Sequence, residues 1–401
     1  MSDRHPRVLL CHNFYQNRAK QLGGEDVVFF AERDLLRRYG HEVIEHTETN
    51  ERISGMNRLV LAGTTIWSRD AHRTLGNLVR QTGAGIVHFH NTFPLLSPAV
   101  YSACKQAGAA VVQTLHNYRL VCPNGLLFRD GAPCEDCVGR TPPLPGMVHG
   151  CYGGSRAQTG VIAAMLTAHR LRGTWRQDVD AYVALTEFSR QKLIEGGLPA
   201  AKVAVKPNFL DPAPERGLAG GEFFLFAGRL SPEKGVKTLL EAWASQCPPA
   251  PLRIAGGGQL LGDVQDAANV NPMVEHLGPL DRPALLKQMR QARMLIFPSQ
   301  VYENFPVTLV EAFACGLPVI ASRVGAMAEI VDDGRTGLHF NPGDPDDLRA
   351  KVRWAWEHPD EIDRMAAEAR REYEAKYTGE ENYQQLMAIY DRACAVSARN
   401  V

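Results

Sequence analysis

The chain has 401 residues, 45% of them apolar and 22% charged, the profile of a soluble globular protein with room for two domains of roughly 100–200 residues each. Lys plus Arg and Asp plus Glu number 44 each, so no net charge draws the molecule as a whole toward nucleic acid. No stretch approaches the roughly 20 apolar residues of a membrane span, and the apolar run Val8–Cys11 is too short for a signal-peptide core, which predicts a cytoplasmic protein with at most peripheral contact to the inner membrane face.

Apolar runs alternate with helical patterns along most of the chain. Arg7–Cys11, His41–Glu45, Ile86–Phe89, Ala109–Leu115 and Ala181–Leu185 read as strands, with helices such as Glu25–Tyr39 and Ser97–Ala107 between them. Continuous apolar strands separated by helices predict βαβ units and parallel sheets buried on both faces. A stretch rich in proline and glycine follows, with Pro207, Pro212, Pro214, Gly217, Gly220 and Gly221, and reads as an interdomain linker. The pattern then restarts with Phe223–Ala227, Leu252–Ala255, Met273–Leu277, Met294–Phe297, Pro318–Ala321 and Gly337–Phe340 as strands; from Asp344 onward only helices are expected. The prediction is an α/β protein with a first domain over 1–210, a second over 217–375, and a final helix within 376–401, read over Tyr377–Ala395. Leu120–Ser155 is the one long irregular stretch, and loops of that length are usually functional or held by something.

Candidate chemistry concentrates after strands. Glu303-Asn304-Phe305-Pro306 leads into a helix that carries Glu311. Pro306 suits a first helical turn, and the free N–H groups of Asn304 and Phe305 suit an oxygen-rich ligand beyond a strand end. A carboxylate pair eight residues apart is by itself commonplace. Arg229 and Lys234 follow another strand in a loop begun by Gly228, where a fork and a point charge can meet two adjacent phosphates; most such residues are simply solvated. Gly23 and Gly24 open a helix after the first strand, in Leu22-Gly-Gly-Glu25, and permit close backbone approach to a phosphate or sugar. No G-x-G-x-x-G follows the strand, which argues against a nicotinamide enzyme. His116 closes the strand Ala109–Leu115, and His90 closes Ile86–Phe89; either is equally a hydrogen-bonded structural histidine.

These segments together resemble the retaining glycosyltransferases of family 4, which have the GT-B fold. The resemblance runs over nearly the whole chain. It is carried by Phe226-Ala-Gly228-Arg229-Leu-Ser-Pro-Glu-Lys234-Gly235, Ile254-Ala-Gly-Gly-Gly258, the stretch from Glu303 to Glu311, and Gly316-Leu-Pro318-Val-Ile-Ala-Ser. It implies two Rossmann-like domains facing across a cleft, with the final helix returning to the first. It implies that Arg229 and Lys234 stabilise the leaving nucleoside diphosphate, so that no catalytic metal is needed. Glu311 would accept from ribose hydroxyls and Glu303 from the transferred sugar. Gly257 and Leu277 would border the base, Gly23 and Gly24 the diphosphate, and His116 would lie over the donor sugar. The reaction implied is transfer with retention, without a side-chain nucleophile. The default donor is a UDP-sugar, then GDP-mannose, and the acceptor a saccharide or polyprenyl-linked saccharide of a surface polysaccharide. A nucleotide-sugar 2-epimerase and a non-catalytic nucleotide-sugar binder are the competing readings; the intact set of charged residues speaks against the binder.

Nine cysteines are present, and four, Cys122, Cys134, Cys137 and Cys151, fall in the irregular stretch. Eleven residues separate the first pair, thirteen the last, and the middle pair has C-x-x-C spacing. Four thiolates can close a structural zinc site that orders a loop without its own core; an iron–sulfur cluster, two disulfides and small hydrophobes remain open. Cys11, Cys104, Cys247, Cys315 and Cys394 read as small core residues. The basic run His169-Arg-Leu-Arg172-Gly-Thr-Trp175-Arg176 reads as a solvated helix end, with contact to an anionic membrane or lipid diphosphate as the alternative.

Overall fold

A computed structural model describes residues 6–15, 23–217, 220–244 and 250–399; Leu22, Cys247 and positions 218–219 of the linker lie outside the described residues. The chain divides into two compact units. The first comprises Met1–Leu127, Cys134–Pro207 and Asn382–Val401, and the second Phe128–Pro133 and Asn208–Glu381.

The first unit is built on a sheet of six strands, β1 (Val8–Phe14), β2 (Val43–Thr49), β3 (Ile86–Asn91), β4 (Ala110–Thr114), β7 (Ala181–Ala184) and β8 (Val203–Val205), in the order β2-β1-β3-β4-β7-β8. All neighbours are parallel. The residues of β1, β3, β4 and β7 are all buried, which explains their apolar, non-alternating character. A two-stranded antiparallel hairpin, β5 (Phe128–Arg129) with β6 (Ala132–Pro133), groups with the second unit. That hairpin, the three-residue β8 and the short helix Leu144–His149 are elements the sequence pattern did not announce.

The second unit repeats the design. Its strands β9 (Phe224–Ala227), β10 (Leu252–Ala255), β11 (Val274–Gly278), β12 (Met294–Phe297), β13 (Val319–Ser322) and β14 (Gly337–Phe340) lie in the order β11-β10-β9-β12-β13-β14, again parallel throughout. Phe224, Ile254, Leu239, Trp243, Ile296 and Ile320 belong to one buried core, each large side chain contributing about 1.5–3 kcal/mol by leaving water. The helices Pro345–Glu357, Pro359–Lys376 and Gly379–Arg399 complete the chain, and the last belongs to the first unit from Asn382 onward. Among the described residues no helix is long and apolar enough to cross a membrane.

Candidate functional site

In the second unit the chain begins at β9, steps to β10 and β11 on one side, and then crosses to β12, β13 and β14 on the other. The loops after β9 and β12 therefore leave in opposite directions and open a crevice at the carboxyl ends of the strands, the place where doubly wound sheets bind ligands. Arg229 to Lys234 follow β9, and Ser299 to Glu311 follow β12. The structure joins the two loops directly: Lys234 Nζ stands 2.5 Å from Glu303 Oε1, and Ser299 Oγ donates to the same oxygen at 2.7 Å. Arg229 donates to Glu233 Oε1 at 2.9 Å and Ser231 Oγ does so at 2.6 Å. Burial works to raise the Glu233 carboxyl, but the Ser231 hydrogen bond and the Arg229 and Lys234 charges hold it below its ordinary range. Arg229 keeps 64% of its side chain exposed, a guanidinium presented to solvent at a strand end.

Glu311 lies in the helix Val307–Ala314, which has Pro306 as its N-cap and not within its first turn. Leu309, Val310, Ala312, Phe313 and Ala314 of that helix are buried and apolar. A carboxylate among them is costly without a partner; Arg282 Nε donates to its Oε1 at 3.1 Å. Burial raises the Glu311 carboxyl, and Arg282 opposes the rise. The turns after β9, β10 and β11 are stitched together by backbone: Gly228 N donates to Ala255 O at 3.0 Å, Leu230 N to Gly257 O at 2.9 Å, and Gly256 N to Gly278 O at 2.9 Å. Gly256 has φ +148°, and a Cβ there would stand 1.9 Å from Gly228 O, so only glycine lets these turns approach. Leu277 is within β11. The Phe305 carbonyl accepts from Asn208 Nδ2 at 3.3 Å, and Asn304 is buried.

The first unit has its own switch point, between β1 and β3. Gly23 caps the helix Gly24–Arg38, and its amide donates to Asp26 Oδ2 at 2.8 Å. The other oxygen of Asp26 lies 2.7 Å from His12 Nε2 of β1. Asn91, ending β3, donates to Glu25 Oε1 at 3.1 Å and to the Asn13 carbonyl at 2.7 Å. Burial, reinforced by the Asp26 charge, pushes the Glu25 carboxyl up to about 8 against the pull of Arg119.

His116, two residues beyond β4, meets His90 in a chain of polar side chains. Its Nε2 is 3.0 Å from His90 Nδ1; His90 Nε2 is 3.1 Å from Glu32 Oε1. His88 Nδ1 reaches the same Glu32 oxygen at 2.9 Å, and Lys206 Nζ reaches Oε2 at 3.0 Å. Lys206 also donates to Asn382 Oδ1 at 3.0 Å. Burial alone would raise the Glu32 carboxyl, but Lys206, with His88 and His90, holds it well below the usual carboxylate range. Burial pushes His90 down to about 4, Glu32 resisting, and pushes His116 well below its ordinary value, His90 adding to the effect.

Two groups of the described residues bring three ligand-type atoms within 4.8 Å, namely Glu32, His88 and His90, and His12, Glu25 and Asp26. The first does not fit a metal. Both histidines are already at hydrogen-bond distance from Glu32 Oε1, and Lys206 supplies the counter-charge at its other oxygen. The four loop cysteines are not drawn together that tightly, but all belong to the first unit and none is in a disulfide. Three of them border Gly146: its amide donates to Cys137 Sγ at 3.2 Å, its carbonyl accepts from the Cys151 amide at 3.1 Å, and Pro123, next to Cys122, lies beside it together with Cys137 Sγ. Burial pushes the Cys137 thiol up to about 11, with Cys122, Cys151 and Cys134 near enough to add to the rise. Four soft sulfurs, one with an N–H donor already aimed at it, are a donor set that suits zinc. Cys11, Cys104 and Cys315 are buried in the core as expected, whereas Cys394 is only half-buried.

The structure thus places Lys234 and Glu303 in contact, pairs Arg229 with Glu233 inside the β9 loop, and sets Glu311 in the helix that follows Glu303. Sequence reasoning passed over Glu32, Lys206, Ser299 and Arg282. For His88 the signal was available: His88 and His90 alternate in Ile86–Asn91, so a period of two puts both on one face of β3.

Two doubly wound units with charged residues at the strand ends define a GT-B protein, and comparison with known families agrees. Residues 17–214 match the model described as Glycosyltransferase Family 4, and residues 214–372 the model described as Glycosyl transferases group 1. The chain belongs to the family-4 glycosyltransferases of the GT-B fold. It is similar to D-rhamnosyltransferase WbpZ of Pseudomonas aeruginosa, 32% identical over 163 residues, covering 40% of this chain and 42% of that one. It is also similar to D-inositol 3-phosphate glycosyltransferase of an Arthrobacter species, 37% identical over 133 residues, covering 30% and 31%. In these matches the chain spans less than half the length of the relatives. Among solved structures it shares its fold with sucrose-phosphate synthase of Thermosynechococcus elongatus (TM-score 0.71, 18% identity, 97% and 100% covered) and with HepE of Anabaena in complex with UDP (TM-score 0.64, 16% identity, 95% and 98% covered).

Proposed function

We propose that the protein transfers a sugar, with retention of anomeric configuration, from a nucleotide-sugar donor to a saccharide or polyprenyl-linked saccharide acceptor in cell-surface polysaccharide synthesis. The observation that carries this reading is the pairing of Lys234 with Glu303 across the β9–β12 switch point, beside an Arg229 held by Glu233 within the β9 loop. A nucleoside diphosphate entering there would take Arg229 and Lys234 as counter-charges, where leaving-group charge develops. Glu303, released from Lys234, would accept from hydroxyls of the transferred sugar, and Glu311 from those of the ribose. The bond from C1 to the diphosphate oxygen breaks, and a bond from the acceptor oxygen to C1 forms on the same face. The acceptor proton passes to the departing diphosphate. The protein's part is positioning and charge stabilisation, and the two cations leave no role for a catalytic metal. UDP-sugars are the favoured donors, because structures of HepE with UDP and with UDP-glucose share the fold; GDP-mannose is next. In the same reading Cys122, Cys134, Cys137 and Cys151 hold a structural zinc ion, and the enzyme works in the cytoplasm with peripheral contact to the inner membrane face.

A thermal-shift screen against UDP-, GDP- and ADP-sugars, with EDTA throughout, tests the donor. One nucleotide class should raise Tm while the others leave it unchanged; no shift with any of them contradicts the reading.

A further inference from the structure

Glu32, His90 and His116 form a line from the interior of the first unit to the edge of a pocket bordered by His90, Asn91, Phe93, Gln113, His116 and Arg119. The proton positions along that line follow from its buried end. Glu32 and Lys206 are both essentially sealed from solvent and 3.0 Å apart. A buried ammonium demands a counter-charge, so Glu32 is a carboxylate and can only accept. His90 Nε2 must therefore carry the proton that points at Glu32 Oε1. A neutral imidazole has one N–H, so His90 Nδ1 is bare and accepts from His116 Nε2–H. His116, neutral in turn, is left with a bare Nδ1, which makes no hydrogen bond among the described residues.

We propose that Glu32, acting through His90, is a positioning residue that locks His116 in its Nε2–H tautomer, so that His116 meets its substrate as a hydrogen-bond acceptor, through Nδ1, for a sugar hydroxyl. The proposal rests on the reading of the chain as a sugar transferase. Its consequence is selective: Nδ1 receives a hydroxyl proton but offers none, so a deoxy or O-methylated sugar at that position finds an unsatisfied acceptor. Such a mismatch discriminates more sharply than a difference in apolar bulk.

The test is ¹⁵N NMR of histidine side chains in the full chain at pH 7.5, with His116→Gln used to assign the signal. His116 should show a protonated Nε2 and a pyridine-like Nδ1; an Nδ1–H tautomer or an imidazolium overturns the proposal. His90→Gln can still accept from His116 and donate to Glu32, so it should keep both the tautomer and turnover. His90→Leu cannot, and should lose the tautomer signature and about tenfold in kcat, with circular dichroism and Tm confirming that both variants fold. Equal behaviour of the two variants, or loss in both with the tautomer retained, overturns the relay. UDP-glucose or GDP-mannose should move the Nδ1 resonance and the bare diphosphate should not. Movement by neither overturns the hydroxyl contact. If no nucleotide sugar raises Tm, the transferase reading and the hydroxyl contact fail together; the tautomer still decides the relay.

Discussion

Glu311 is the one carboxylate in the helix Val307–Ala314, and among the described residues it pairs with a half-exposed Arg282. Glu311→Ala should weaken donor binding by about 10- to 100-fold, the value of one or two hydrogen bonds to a charged group, measured by calorimetric titration with the donor; unchanged affinity removes Glu311 from the site. Titration adds a second residue-scale expectation. Folded His90 stays neutral down to about pH 4, while in the unfolded chain a histidine titrates near 6.5. Its depressed value therefore contributes stability above pH 6.5 that is lost as pH falls to 4, about 3 kcal/mol by linkage. Glu25 works the other way. Its carboxyl is raised to about 8, so its contribution is full below about 4.5 and is lost as pH rises to 8. Glu25→Gln should accordingly stabilise the protein at pH 8, lose that advantage toward pH 4.5, and fall more steeply than wild type between 6.5 and 4.5 in urea titrations. A pH-independent difference between the two proteins contradicts this. Arg229 and Lys234 were legible in sequence because they sit in a glycine-bearing loop after an apolar strand, and Glu303 because it follows another such strand. Glu32 and Lys206 were not, since a glutamate on an amphipathic helix and a lysine before a proline have the local signature of solvated residues. Only tertiary packing brings them together across 174 positions.

At the scale of elements, the buried apolar strands β1, β3, β4, β7, β9, β12, β13 and β14 were readable because strands buried on both faces carry no alternation to confuse, whereas β2, half-buried along its length, spans Val43–Thr49 and not the expected His41–Glu45. The three-residue β8 and the two-residue strands of the β5–β6 hairpin lie below the length at which a pattern exists. Strand order, and with it the two switch points, is not a property of any local window. The turn from β9 into the helix Val236–Ala244 is held by Gly235, at φ +71°, whose added Cβ would stand 1.8 Å from Pro298 O. Gly235→Ala should lower stability by about 1–3 kcal/mol and pull Lys234 away from Glu303; a variant with unchanged Tm and activity contradicts that tight packing. The cysteine loop is the other element-scale claim. Cys134→Ser should release the bound metal and expose 120–155 to protease, measured by metal analysis and limited proteolysis. Unchanged metal content and protease resistance contradict the zinc site.

For the whole molecule, two units of the same architecture each gather buried or paired charged side chains near the point where their strand order reverses. The first offers a neutral histidine chain anchored on a buried ion pair, and the second a set of cations held by carboxylates. Neither arrangement requires a side-chain nucleophile, and the cations of the second match the needs of a departing diphosphate. The measurement that tests this most directly is release of nucleoside diphosphate from the stabilising nucleotide sugar, in EDTA, by wild type and Lys234→Ala. Wild type should release it without added metal, and the variant should lose about 100-fold or more, as for removal of a transition-state charge partner, with Tm retained. Release that needs a divalent ion, or that survives the substitution, would contradict that reading.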